Sequence, residues 1–194
     1  MSIPTLDVAL FFAVTGMLLY FPMNRIQVKR RFFHNTALDD QIPLVPIFVI
    51  PYLALFPYTL FAAYALWSAP QLRTYFFVSL AIAAWTAALT WYLVPAGIPR
   101  QLRFTPDFFS KMIAWIYSQD THDNNSLPSA HVFYALICSY FLALAYPAYG
   151  IIFWVIGVII SVSTTLVKQH HVADILGGVV WMMASILIAH FLVG

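Results

Sequence analysis

Six apolar runs, at about residues 6–22, 44–67, 74–95, 127–146, 150–167 and 172–192, take up most of this chain. Each approaches the roughly 20 residues that a helix needs to cross a bilayer core of about 30 Å. Only 8% of the residues are charged and 62% are hydrophobic, whereas a soluble domain carries about 25% charge. The expected fold is all-α: a polytopic membrane protein with six transmembrane helices, forming a single domain over residues 1–194. No Lys or Arg precedes the first run and no small-residue cleavage site follows it, so it reads as a retained span. The single cysteine, Cys138, lies within the fourth run and reads as packing.

The polar segments between the runs carry the remaining information. Prolines 46, 51 and 57 each remove a backbone donor, which predicts a kinked second span. The longest polar stretch, 97–127, contains Phe108 to Tyr117, whose mixed aromatic and aliphatic spacing predicts a short interfacial helix between spans three and four. Arg25 to Phe33 alternates cations with apolar residues and reads as a topogenic cluster or a headgroup contact. A net charge of +2 is too small to indicate nucleic acid, so the expected partners are membrane lipids.

Two polar islands stand immediately before apolar runs. One is Asn125-Ser126-Leu127-Pro128-Ser129-Ala130-His131, and the other runs from Ser163-Thr164 to His170-His171-Val172-Ala173-Asp174. An even number of spans separates their loops, so both face one side of the membrane. His170 and Asp174, at i and i+4 where the last apolar run begins, are expected on one face of a helix. A carboxylate bonded to one ring nitrogen fixes the tautomer and leaves the other nitrogen as a nucleophile. His171, three residues from Asp174, fits that part too. His131 can serve as a general acid. Ser126, Pro128 and Ser129 read as a helix start, with a hydroxyl cap and a proline in the first turn, where free N–H groups attract anions.

A phosphate in a partly dry site calls for cations, and Arg100, Arg103, Lys111 and Lys168 are at hand. Arg100, just after span three, is the first choice, because Arg engages phosphate oxygens bidentately; Lys111 and Arg103 suit snorkelling to headgroups. No HExxH or cysteine-containing ligand set is present, so neither metal nor cofactor is expected. His34, His122 and His190 have no assignable partner in the sequence.

Taken together, these residues resemble the signature of the type 2 phosphatidic acid phosphatase superfamily, six-helix membrane enzymes acting on lipid phosphates. Pro128-Ser129-Ala130-His131 matches its Pro-Ser-x-His motif, and Ser163-Thr164 through His170 and Asp174 matches Ser-Arg-x5-His-x3-Asp. The resemblance implies His170 as nucleophile, Asp174 as its orienting partner, His131 as general acid, and Ser129 and Ser163 as phosphate contacts. Thr164 stands where the motif has Arg, and the family's Lys-x6-Arg-Pro motif is absent, with Ile98-Pro99-Arg100 near its place. The implied activity is hydrolysis of a lipid phosphate through a phosphohistidine. The Ser-Thr-Thr-Leu-Val-Lys-Gln-His-His form is also similar to the sphingolipid synthase-like branch, in which a lipid hydroxyl replaces water as acceptor. A small proton-coupled transporter is the alternative from another class. Eight of the nine Lys and Arg residues lie on the site face, which favours a cytoplasmic site. The resemblance implies the opposite, extracytoplasmic face, and that orientation is the expectation.

Overall fold

A computed structural model describes residues 5–26, 32, 34–99, 105–119 and 124–194. Ten α-helices lie in these segments: α1 (Leu6–Leu18), α2 (Tyr20–Arg25), α3 (Ala37–Gln41), α4 (Val49–Leu53), α5 (Leu55–Ala65), α6 (Pro70–Leu93), α7 (Phe108–Gln119), α8 (Ala130–Ala145), α9 (Gly150–Leu166) and α10 (Val172–Val193). Five spans are long and apolar enough to cross a membrane: Leu6–Arg25, Pro46–Ala65, Pro70–Leu93, Pro147–Leu166 and Val172–Val193. The shorter α8 supplies the sixth expected span, about 24 Å long at the α-helical rise. The chain is an all-α integral membrane protein, as its apolar runs predict.

Proline positions explain the interruptions. Pro57 has no N–H for the Leu53 carbonyl, and the second span breaks between α4 and α5 at Ala54. Pro22 does the same to Leu18, and the first span breaks at Leu19. The expected interfacial helix is α7. The Ser110 N–H donates to Asp107 Oδ1 at 3.0 Å in its first turn, Ile113 faces inward against Val49, Tyr52 and Val167, and Trp115 stays exposed. The Tyr117 hydroxyl ties α7 to the carbonyls of Val167 and Lys168, at 3.1 and 3.0 Å.

At the centre stands α8, whose residues Ala130 to Ser139 are all buried and which packs against α5, α6, α9 and α10. Large side chains elsewhere, including Phe11, Leu60, Ile151 and Phe191, point outward to lipid. Helices in hydrocarbon gain nothing from burying apolar surface against one another, so small residues and hydrogen bonds hold them together. Gly157 lets α9 approach α8 at Ser139, whose hydroxyl donates to the Phe153 carbonyl (2.8 Å) and pairs with the Tyr58 hydroxyl (3.0 Å). Gly16 makes room for Ala84 and Trp85 between α1 and α6, where the Trp85 indole donates to the Phe12 carbonyl at 3.0 Å.

A Cβ at residue 157 would fall 2.3 Å from Ser139 Oγ and 3.3 Å from the Ala135 carbonyl. Because the Ser139 hydroxyl lies within hydrogen-bond distance of Tyr58, Phe153 and Ala135, it has little freedom to move aside. Gly157→Ala is therefore expected to cost about 1–3 kcal/mol, visible as a lower melting temperature in detergent. An unchanged melting temperature would mean that α8 and α9 are not so closely apposed.

Candidate active site

The site forms around the N-terminus of α10, where the first backbone N–H groups lack helical partners. Two carboxylates supply them. Asp174, in the first turn, folds back so that its Oδ2 accepts the His171 N–H at 2.8 Å. Asp39, from α3, accepts the Val172 N–H on Oδ1 at 2.7 Å. Asp39 Oδ2 accepts from both the N–H and the hydroxyl of Thr36, at 2.8 and 2.7 Å. Burial alone would raise the Asp39 pKa, but these hydrogen bonds from Val172 and Thr36 bring it below the ordinary carboxylate value.

His170 precedes this helix instead of lying on it, which corrects the i, i+4 helical reading. The contact with Asp174 arises because the carboxylate reaches back as part of the helix cap. His170 Nδ1 lies 2.9 Å from the Ser126 carbonyl and 3.4 Å from Asp174 Oδ2. Both neighbours only accept, so in the neutral ring the proton sits on Nδ1 and the lone pair on Nε2. His171 sits differently: its backbone engages Asp174, while its ring meets His34 edge-on at 5.2 Å. Burial lowers the His171 pKa below the ordinary histidine value.

His34 was without an assignable partner in the sequence. In the structure its Nε2 lies 2.6 Å from Asp174 Oδ1. That hydrogen bond raises the His34 pKa above the ordinary value against the opposing effect of burial. The pairing spans 140 positions. Its only local sequence signal is the Thr36-x-x-Asp39 capping box just downstream, which shows as a helix start in the sequence. His190 stacks on Tyr75, with centroids 5.6 Å apart; His122 lies outside the described residues.

His131 enters from the first turn of α8. Its ring stacks on Tyr52 with centroids 4.0 Å apart, meets Phe56 edge-on, and lies 6.2 Å from the His170 ring. Ser129 is the residue before α8, yet its hydroxyl makes no cap hydrogen bond, and Pro128 falls outside the first turn; both correct the expected helix start. The Ser129 N–H donates to the Asp174 carbonyl instead, at 3.2 Å, which joins the two islands. Gly178 permits this approach, since a Cβ there would meet Val132 at 2.6 Å and the Ser129 carbonyl at 3.0 Å.

Short bridges stitch the loops together. The Phe32 N–H donates to the Pro95 carbonyl, Gly97 N–H to Phe32, Ala96 N–H to Asn124 and Ser126 N–H to Ala96, all between 2.9 and 3.1 Å. This ladder presents the Ser126 carbonyl to His170. Around it, Asn125 Nδ2, Gln169 Nε2, His131 Nε2 and the Ser126 and Ser129 hydroxyls are buried with no protein partner. Buried polar groups are ordinarily satisfied, so these are the groups available to a polar ligand.

Of the expected phosphate contacts, Ser163 is fully buried in α9 and donates to its own Ile160 carbonyl at 2.6 Å. Lys168, at a positive φ of 56°, extends Nζ to the Asp39 carbonyl at 2.9 Å. Arg100 and Arg103 lie outside the described residues, and Lys111 is exposed on α7. A cavity of about 260 Å³ opens beside His170 and is walled by His171, Lys168, Thr165, Asp39 and Asn35 among others.

Among the described residues, His34, His171 and Asp174 could each offer one metal-ligand atom within 4.8 Å. Zinc bonds of about 2.0–2.1 Å would hold tetrahedral ligand atoms about 3.3 Å apart. The His34–Asp174 separation of 2.6 Å is that of a hydrogen bond, so this trio fits a proton-sharing set better than a metal centre.

Comparison with curated proteins and with solved structures returned no match. A family model described as the PAP2 superfamily matches residues 24–188, a span that holds His34, both islands and five of the six spans nearly whole. With that match over most of its length, this chain belongs to the PAP2 superfamily.

Proposed function

We propose that this protein hydrolyses a lipid phosphate ester through a covalent phosphohistidine on His170. Membership of the superfamily supports an enzyme of phosphatase or phosphotransferase type acting in a membrane. The observation that carries the finer reading is the bonding of His170, whose Nδ1 faces only acceptors and whose Nε2 is left to attack phosphorus. As the N–P bond forms and the ester P–O bond breaks, His131 donates a proton to the departing alkoxide. Water then attacks the phosphohistidine, giving its proton to His131 and releasing phosphate, which restores both rings. Asp174 supports the positive charge that develops on the His170 ring. Asn125, Gln169, Ser126, Ser129 and the free N–H groups of the α8 N-terminus would hold the phosphate oxygens. Lys168 would contribute charge, as would Arg100.

A second reading rests on the cavity beside His170, which is lined by Asp39 and Asp40 among other polar residues. Such walls suit a hydroxyl-bearing acceptor, and attack by a lipid hydroxyl in place of water would make the enzyme a phosphotransferase. Purified protein given radiolabelled lipid phosphates, with and without a lipid alcohol, separates the two by product: inorganic phosphate or a new phospholipid.

His170→Ala is expected to remove phosphoenzyme labelling and lower turnover by on the order of a thousandfold or more. Asp174→Asn should cost about 10³–10⁴-fold, and His131→Ala about 10²–10⁴-fold. Near-normal turnover in His170→Ala would overturn the nucleophile; loss confined to His171→Ala would move the role to that residue.

Activity should survive exhaustive chelation and be inhibited by vanadate, whose five-coordinate form resembles the transition state. Recovery that requires added zinc or magnesium would refute a metal-free reaction.

We further propose that the site faces away from the cytoplasm. In a Cys138→Ala background, Ser118→Cys on α7 should react with a membrane-impermeant thiol reagent on intact cells and Pro70→Cys should not. The reverse pattern would put the site in the cytoplasm, as the cation count favours.

A further inference from the structure

The carboxylate of Asp174 is fully buried, and its two oxygens serve different partners. Oδ2 faces the His171 N–H and His170 Nδ1. Without a partner of its own, Oδ1 would be a buried anionic acceptor left unsatisfied, a costly arrangement. Held by the His171 N–H alone, such a carboxylate would also have only one anchor against pivoting Oδ2 away from His170. His34 Nε2, at 2.6 Å from Oδ1, removes both problems.

His34 is itself held from several directions. Its ring stacks on Phe32 at 5.7 Å and 11°, and meets His171 edge-on at 89°. Upstream, Phe32 is bonded into the ladder with Pro95 and Gly97; downstream, Asp39 is bonded to the Val172 N–H. The segment from 32 to 39 is therefore fastened at both ends to the walls of the site. A loop whose only task was to connect two spans would need no such placement of a histidine.

We propose that His34 is a positioning residue of the reaction, fixing the Asp174 carboxylate so that Oδ2 supports His170; the inference rests on the phosphohistidine reading above. The loop between the first two spans thus completes a His34–Asp174–His170 set that neither sequence island contains. The role requires an Nε2–H donor, which both the neutral tautomer and the imidazolium provide.

The test measures the rate of phosphoenzyme formation, kcat and KM in intact protein in detergent. His34→Ala should lower kcat about 10–100-fold, the usual cost of removing an outer partner from a reacting set, while KM stays within about twofold. His34→Gln, whose amide also donates at that reach, should recover kcat to within about threefold of wild type. In an Asp174→Asn background, His34→Ala should add less than about twofold, because the residue it acts through is already lost. If His34→Ala does not fold, His34→Leu, which fills the space without a donor, replaces it in every comparison. Normal kcat in His34→Ala, no recovery in His34→Gln, or a fully additive loss with Asp174→Asn would each overturn the proposal. Failure of the phosphohistidine reading would show separately, as labelling and turnover that persist in His170→Ala.

Discussion

The site depends on how the N-terminus of α10 is capped. A helix start inside a protein leaves N–H groups that need acceptors, and its positive dipole end favours anions. Here Asp174 and Asp39 take those places, one from the helix itself and one from the other end of the chain. Because Asp174 is committed to the cap, its carboxylate lies in a fixed plane, with His170 on one side and His34 on the other. The same interactions that start the helix therefore set the tautomer of the ring beside it.

The rest of the bundle serves to bring a second helix start to the same place. α8 is enclosed by its neighbours, and its N-terminus meets α10 only because Gly178 leaves room for Val132 and the Ser129 carbonyl. The break in the second span has a related effect, since it sets Tyr52 of α4 against the His131 ring and Phe56 of α5 at its edge. His131 thus has an aromatic wall, and its own Nε2 is among the buried polar atoms without a partner.

Much of this was legible in the sequence because hydrophobic run length, proline and motif spacing are local properties. The six spans, the kink at Pro57 and the α7 helix all followed from such signals. The two islands also meet as expected, through Ser126 and His170 and through Ser129 and Asp174. What spacing could not supply was the local geometry: His170 stands outside α10, and the Ser129 hydroxyl does not cap α8. His34 was invisible for a different reason. A hydrogen bond across 140 positions leaves no periodicity and no motif, and only packing of the first loop against the last helix creates it.

That long pairing has a consequence for biogenesis. A chain made from its N-terminus inserts five spans before Asp174 exists, so the first loop, carrying His34 and Asp39, must wait beside the membrane for its partners. Until α10 enters, His170 has no carboxylate beside it and the ladder of loops has nothing to close upon. The site is thus incomplete until α10 is in place, and its arrival supplies the carboxylate that links His34 to His170.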